Sequence, residues 1–286
     1  MWCIEGVLVM RSSLNFPNKL NKLAEMENDS IFQILEYENL EGATDVESAF
    51  GLNIIRESGI KLKQIRIALE NSSVILEPGA LSYMKGDIKI ISKTGGVFGF
   101  GKKLISSKLT GETAFKPTYS GTGEIFLEPS FGNFALIDLE DDEIIVDDGL
   151  FFACESSVEV GVTVQKNLSS ALLGNETLCQ TRISGSGIVV LEIPVPESEI
   201  FKCILIDDTL KVDGNFAILR TGNIEFTVEK SSKSIVGAVT SGEGLVNVYR
   251  GSGEVWLIPT KSVYDNLKIN GLDEMRKSQR RMDTEV

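Results

Sequence analysis

Short runs in which apolar and polar residues alternate recur along the chain: Asp87-Ile88-Lys89-Ile90-Ile91, Ser157-Val158-Glu159-Val160-Gly161-Val162 and Asn223-Ile224-Glu225-Phe226-Thr227-Val228. Alternation with period two sends successive side chains to opposite faces of a strand, so each run predicts a half-buried strand. Three further segments share one pattern: Gly121-Thr122-Gly123, Gly185-Ser186-Gly187 and Gly251-Ser252-Gly253, each followed by a short apolar run and then a proline. Their first glycines stand 64 and 66 residues apart (185 − 121 and 251 − 185). The pattern predicts a tight turn, where glycine tolerates positive φ, feeding a buried strand that proline stops. Upstream of each lies a strand, an acidic or proline turn closed by glycine, and a new strand: Val74 to Ala80, Ile144 to Leu150 and Leu210 to Phe216. A repeat of this period is the signature of stacked supersecondary units. The units expected are residues 61–137, 138–199 and 200–264, between an N-terminal extension (1–60) and a C-terminal tail (265–286).

The flanks carry weaker signals. Ser12 to Ser30 is polar and reads as poorly ordered or a short helix, Ile31 to Tyr37 as a strand, and Asp45 to Phe50 as a turn of helix. Met275 to Met282 is a small basic tail expected to be solvated. Only the first unit carries an insert, Gly95 to Thr113, with a glycine-aromatic lead and a short helical stretch. Leu104, Ile105 and Leu109 would share one side of that stretch, bordered by Lys102, Lys103 and Lys108. Val97, Phe98, Phe100, Lys102 and Lys103 are therefore the candidate contact residues. They would pack into a groove between lobes or subunits, receive a partner or ligand, or touch a membrane surface.

Composition narrows the chemistry. The 286 residues, a length suited to about two ordinary domains, include no histidine. That excludes Ser-His-Asp and Cys-His relays and any His-ligated metal. With 28 Lys+Arg against 41 Asp+Glu the net charge is −13, which repels phosphate backbones, so no nucleic-acid partner is expected. Cys3, Cys154, Cys179 and Cys203 form no C-x-x-C pair and read as buried or free thiols. The segment Met1 to Arg11 has its basic residue after the apolar run, the wrong order for a signal peptide, and no stretch is long and apolar enough to span a membrane. A cytoplasmic protein without integral membrane segments is expected.

Two chemical readings are open to the motifs. The glycines precede strands and lack the lysine of a phosphate loop, so hairpin turns fit better than a nucleotide site. Asp138, Glu140, Asp141, Asp142 and Glu143, with Asp147 and Asp148, are the one dense carboxylate cluster, and Asp207-Asp208 occupies the corresponding place in the third unit. Paired acids can act as acid and base or collect calcium. The order of ligands required for calcium is missing, so a solvated acidic hairpin is the reading adopted.

The run from Leu76-Glu77-Pro78-Gly79-Ala80 through Gly95-Gly96, Leu109-Thr110-Gly111-Glu112 and Gly121-Thr122-Gly123 resembles the family of altered inheritance of mitochondria protein twenty-four, over roughly residues 61–264. The resemblance implies an all-β fold akin to the tryptophan RNA-binding attenuation protein, of double-stranded β-helix, jelly-roll-like type. The three repeats then look like three tandem lobes about a pseudo-threefold axis. Mitochondrial members are linked to inner-membrane organisation; bacterial members are largely of unknown function. No residue of the attenuation protein's tryptophan or RNA sites aligns here, and the family pattern offers no catalytic residues and no cofactor.

The expectation is a non-enzymatic structural or interaction protein, a pseudo-trimeric β assembly with a protein partner or self-association. A small-molecule binder or enzyme using a jelly-roll lumen, and a peripheral membrane organiser working through Val97, Phe98 and Phe100, are the alternatives.

Overall fold

β-branched and aromatic runs between glycine-marked turns leave the backbone little alternative to strand. The computed structural model describes residues 2–4, 7–9, 20–91, 116–164, 179–230 and 245–270, and these are accordingly all-β with two short α-helices among them. β1 (Trp2–Ile4) and β2 (Val7–Val9) pair with each other; the other thirteen strands share one antiparallel sheet.

Three groups of strands repeat one pairing scheme. The first is β5 (Lys63–Leu76), β6 (Leu81–Ile91) and β7 (Thr118–Leu127). The second is β8 (Asn133–Asp147), β9 (Phe151–Glu155), β10 (Val158–Val164) and β11 (Cys179–Ile193). The third is β12 (Phe201–Asp213), β13 (Ala217–Thr221), β14 (Glu225–Lys230) and β15 (Leu245–Leu257). In each, the long first strand pairs along one edge of the last: β5 with β7, β8 with β11, β12 with β15. The strands after the glycine turn take the opposite edge of that last strand. Successive groups are stitched by β5 on β9, with Ile75 opposite Cys154, and by β8 on β13, with Ile145 opposite Arg220. Among the described residues β6 pairs with β7 alone and β12 with β15 alone, so no strand pairing joins the third group to the first.

The glycine turns closing the first strands stand as expected, with Gly79, Gly149 and Gly214 at φ +87°, +82° and +65°. The G-[ST]-G motifs do not form turns. They sit in the middle of β7, β11 and β15, facing a bulge in the partner strand. Each bulge is made by one residue at positive φ, Asn71, Asp141 or Asp207. Its backbone N–H donates to the hydroxyl between the glycines, Thr122 (3.0 Å), Ser186 (2.9 Å) or Ser252 (2.8 Å). The hydroxyl thus satisfies an amide that the bulge takes out of the ladder. The motif glycines do take the expected positive φ, from +121° at Gly185 to +156° at Gly253, and they also permit close approach: a Cβ on Gly123 would lie 2.1 Å from the carbonyl oxygen of Lys85.

The N-terminal extension is also more ordered than its polarity suggests. β3 (Leu20–Glu27) replaces the expected coil or short helix and forms a hairpin with β4 (Ser30–Tyr37), which adds to β5 from Ser30 opposite Leu69 to Glu36 opposite Lys63. α1 (Val46–Glu57) starts at a capping box, where Asp45 accepts from the Ser48 amide at 2.8 Å, and buries none of its residues. α2 (Lys261–Asn270) follows β15.

Three apolar clusters fill the sheet. Phe32, Ile65, Ile67, Ile125 and Leu127 pack with Ala153 and Val190 of the second group. Val146, Phe151, Ile183 and Leu191 pack with Leu219 and Trp256 of the third. The last cluster, Leu205, Val212, Ala217, Ile224, Phe226, Tyr249 and Val255, draws among the described residues on its own group only.

Candidate functional site

The residues singled out by the sequence are not brought into one site. Val97, Phe98, Phe100, Lys102 and Lys103 lie outside the described residues, as do the other residues of the insert and the basic tail. Asp138, Glu140, Asp141 and Asp142 are exposed around the β8 bulge, and Asp207-Asp208 marks the β12 bulge, so these acids flank a strand irregularity and not a hairpin. Glu143 is ion-paired with Arg182 across the β8–β11 pair. Among the described residues no group of three His, Cys, Asp or Glu side chains is placed to hold a metal, and no helix is long and apolar enough to cross a membrane.

Two buried polar networks do form where the groups meet. Glu155, 1% exposed at the end of β9, accepts from the Ser30 amide at 2.9 Å, the Asn28 side-chain amide at 3.0 Å and the Ile188 amide at 3.1 Å. One carboxylate therefore ties the β3–β4 turn to both β9 and β11. Arg220 of β13, 3% exposed, donates to Gln180 at 2.7 Å, and Gln180 donates to Asp147 at 3.1 Å. Its guanidinium lies 5.1 Å from the Phe226 ring centroid, and its Nε has no hydrogen-bond partner. Burial raises the Asp147 carboxyl to about 6, against the Gln180 hydrogen bond and the positive charge of Arg220. Burial also pushes the Tyr249 hydroxyl and the Cys154 thiol upward. Gln180, Asp147 and the Phe226 ring supply a hydrogen bond, counter-charge and a π-face to the buried Arg220 cation at the β8–β13 junction, a structural task.

The open feature nearest a binding site is a groove of about 400 Å³ lined by Leu136 and Ile137 of β8, Glu197, Ile200, and Lys202 and Trp256 from the β12–β15 pair. Its volume is in the range that holds small ligands. The Lys202 ammonium sits 4.5 Å from the Trp256 ring centroid, and the Trp256 indole N–H donates to Glu254. The groove thus offers an aromatic floor, aliphatic walls, one cation and one acid. Sequence reading passed over it, although one signal was present: Trp256 occupies the place held by Phe126 and Val190 in the other G-[ST]-G runs. Arg220 was likewise visible as a charge at the end of the apolar run Phe216-Ala217-Ile218-Leu219.

The family described as mitochondrial biogenesis AIM24 matches residues 55–260. No curated protein matches the chain. Among solved structures it is similar to protein SPYM3_0169 from Streptococcus pyogenes, a structural-genomics crystal structure, at 20% identity and a TM-score of 0.53. That similarity covers 73% of this chain and 94% of the streptococcal one, and at this identity it speaks for the fold.

Proposed function

The chain belongs to the mitochondrial biogenesis AIM24 family, and on that footing we propose that it is a non-enzymatic structural or interaction protein. In this reading its strand groups are three jelly-roll-like units of double-stranded β-helix type about a pseudo-threefold axis, and it works in the cytoplasm through protein contacts. The observation that carries the reading is where the repeated residues are used. The bulge, its capping hydroxyl and the paired glycines recur three times, and the junction between groups recurs twice, with every one of these residues engaged in strand-to-strand contact. Repetition here builds interfaces, as in other repeat proteins.

Native mass spectrometry of protein purified from its own host tests this. Expected are masses of the chain with further protein chains, and no turnover in broad substrate screens. Reproducible turnover that vanishes in the Asp141→Asn/Asp142→Asn variant overturns it. The Trp256 groove favours a second reading, a small-molecule binder. A stoichiometric small molecule that Trp256→Ala releases would establish that reading in place of the first.

A further inference from the structure

The junctions between groups have a fixed register. Ile75 faces Cys154 at the first and Ile145 faces Arg220 at the second, with one residue paired on each side of both. Counted from the bulge residues Asn71, Asp141 and Asp207, the third counterpart of Ile75 and Ile145 is Lys211. Cys154 and Arg220 lie opposite Val189 and Val255 on the last strands of their groups; the residue opposite the equivalent Ile125 is Met84. The chain therefore carries both halves of a third junction, Leu210-Lys211-Val212 on β12 and Tyr83-Met84-Lys85 on β6. Among the described residues neither half is paired on that edge.

Both edges have the character of strands awaiting a partner. β6 and β12 run for 11 and 13 residues, longer than the short edges by which β proteins avoid association. Tyr83 is 52% exposed, and Ile204 and Ile206 are 72% and 81% exposed. Lys85 and Lys89 outnumber Asp87 on β6, whereas Asp207, Asp208 and Asp213 outnumber Lys202 and Lys211 on β12, so the two edges carry opposite net charge. The core agrees: the first two clusters are completed by residues of the following group, and among the described residues the third is completed by no other group.

We propose that β12 of one copy pairs with β6 of a second copy, head to tail, with Lys211 opposite the second copy's Met84. The contact repeats between chains the junction already made twice within one. It is heterologous, leaving each assembled pair with one free β12 and one free β6, so association continues or closes as a ring. This deepens the proposed function by naming the partner as the chain itself; it rests on the interaction reading alone, since a pseudo-threefold axis closed within one chain would pair β6 and β12 of the same copy.

The test uses the full chain with Met84→Cys and Lys211→Cys, alone and together. Antiparallel partners stand within disulfide reach. Under mild oxidation the double variant is expected to give a ladder of disulfide-linked multimers, and an equimolar mixture of the two single variants a linked dimer absent from each alone. Sedimentation of the unmodified protein is expected to show a mass that at least doubles with rising concentration. A monomeric cross-link within the double variant means that the edges close inside one chain, and it overturns the proposal. A monomer with no cross-link, folded by circular dichroism, overturns it as well. Either result leaves other protein partners in native mass spectra unaffected, so failure here is distinct from failure of the functional reading.

Discussion

Removing the Glu155 carboxylate sets two large effects against each other. The side chain is 1% exposed. A buried charge without partners costs several kcal/mol, and its deletion would stabilise the fold. Here the carboxylate accepts three hydrogen bonds, two of them from the backbone amides of Ser30 and Ile188. In Glu155→Ala both amides stay buried without an acceptor, at about 1–3 kcal/mol each, so a total near 4 kcal/mol is expected. Glu155→Gln keeps one acceptor and turns an NH₂ toward one of the donors, for about 1–3 kcal/mol, and Asn28→Ala removes a single side-chain donor, for about 1 kcal/mol. Urea unfolding measures the series, and hydrogen exchange at Ser30 and Phe32 reports whether the β3–β4 hairpin detaches first. If Glu155→Ala proves neutral or stabilising, desolvation outweighs the hydrogen bonds and the assignment of Glu155 as the clasp is refuted.

Asp147 gives a pH prediction whose sign follows from its raised pKa. Between the ordinary value of 3.8 and about 6 the folded chain keeps a proton that the unfolded chain has released. The stability from this group is therefore full below about pH 4 and lost as pH rises through 6, by about 3 kcal/mol. Asp147→Asn is expected to gain on the unmodified protein by about that amount between pH 4 and 7.5 in urea unfolding; an unchanged difference across that range refutes it. Two glycines at positive φ, Gly149 in open space and Gly123 against a neighbouring strand, isolate the cost of crowding. Gly149→Ala, at positive φ in open space, is expected to cost about 1–2 kcal/mol. Gly123→Ala drives a methyl group against the Lys85 carbonyl and is expected to cost at least about 3 kcal/mol, with loss of exchange protection in β6. Equal costs in thermal unfolding would show that close approach is not why Gly123 is glycine.

The class of the fold was legible because its signals are local. Alternation at Asp87–Ile91 and the glycine turns at Gly79, Gly149 and Gly214 depend only on near neighbours in sequence. The G-[ST]-G motif was legible as a repeat and misread as a turn. The requirement at Gly123 comes from a carbonyl on β6, across a strand pair that the sequence does not display. β3 was missed for a similar reason: its residues are mostly exposed on both faces, so it shows no alternation and is held by its ladder with β4. The polar networks were the least legible. Asn28, Ser30, Glu155 and Ile188, or Asp147, Gln180 and Arg220, belong to distant segments and become neighbours only through strand order.

The recurrence of the bulge and its hydroxyl cap has a consequence for how the chain reaches its fold. Each bulge amide meets the hydroxyl of its own group, but a first strand from one group would satisfy the last strand of another with the same hydrogen bond, so the three devices are interchangeable in kind. Mispairing between groups is then a kinetic trap that backbone hydrogen bonding does not penalise. Discrimination falls to side-chain volume, and the positions of Phe126, Val190 and Trp256, equivalent in the motif, differ strongly in size. A chain with one residue at all three positions would keep its native contacts in principle and lose the means of telling its own strands apart.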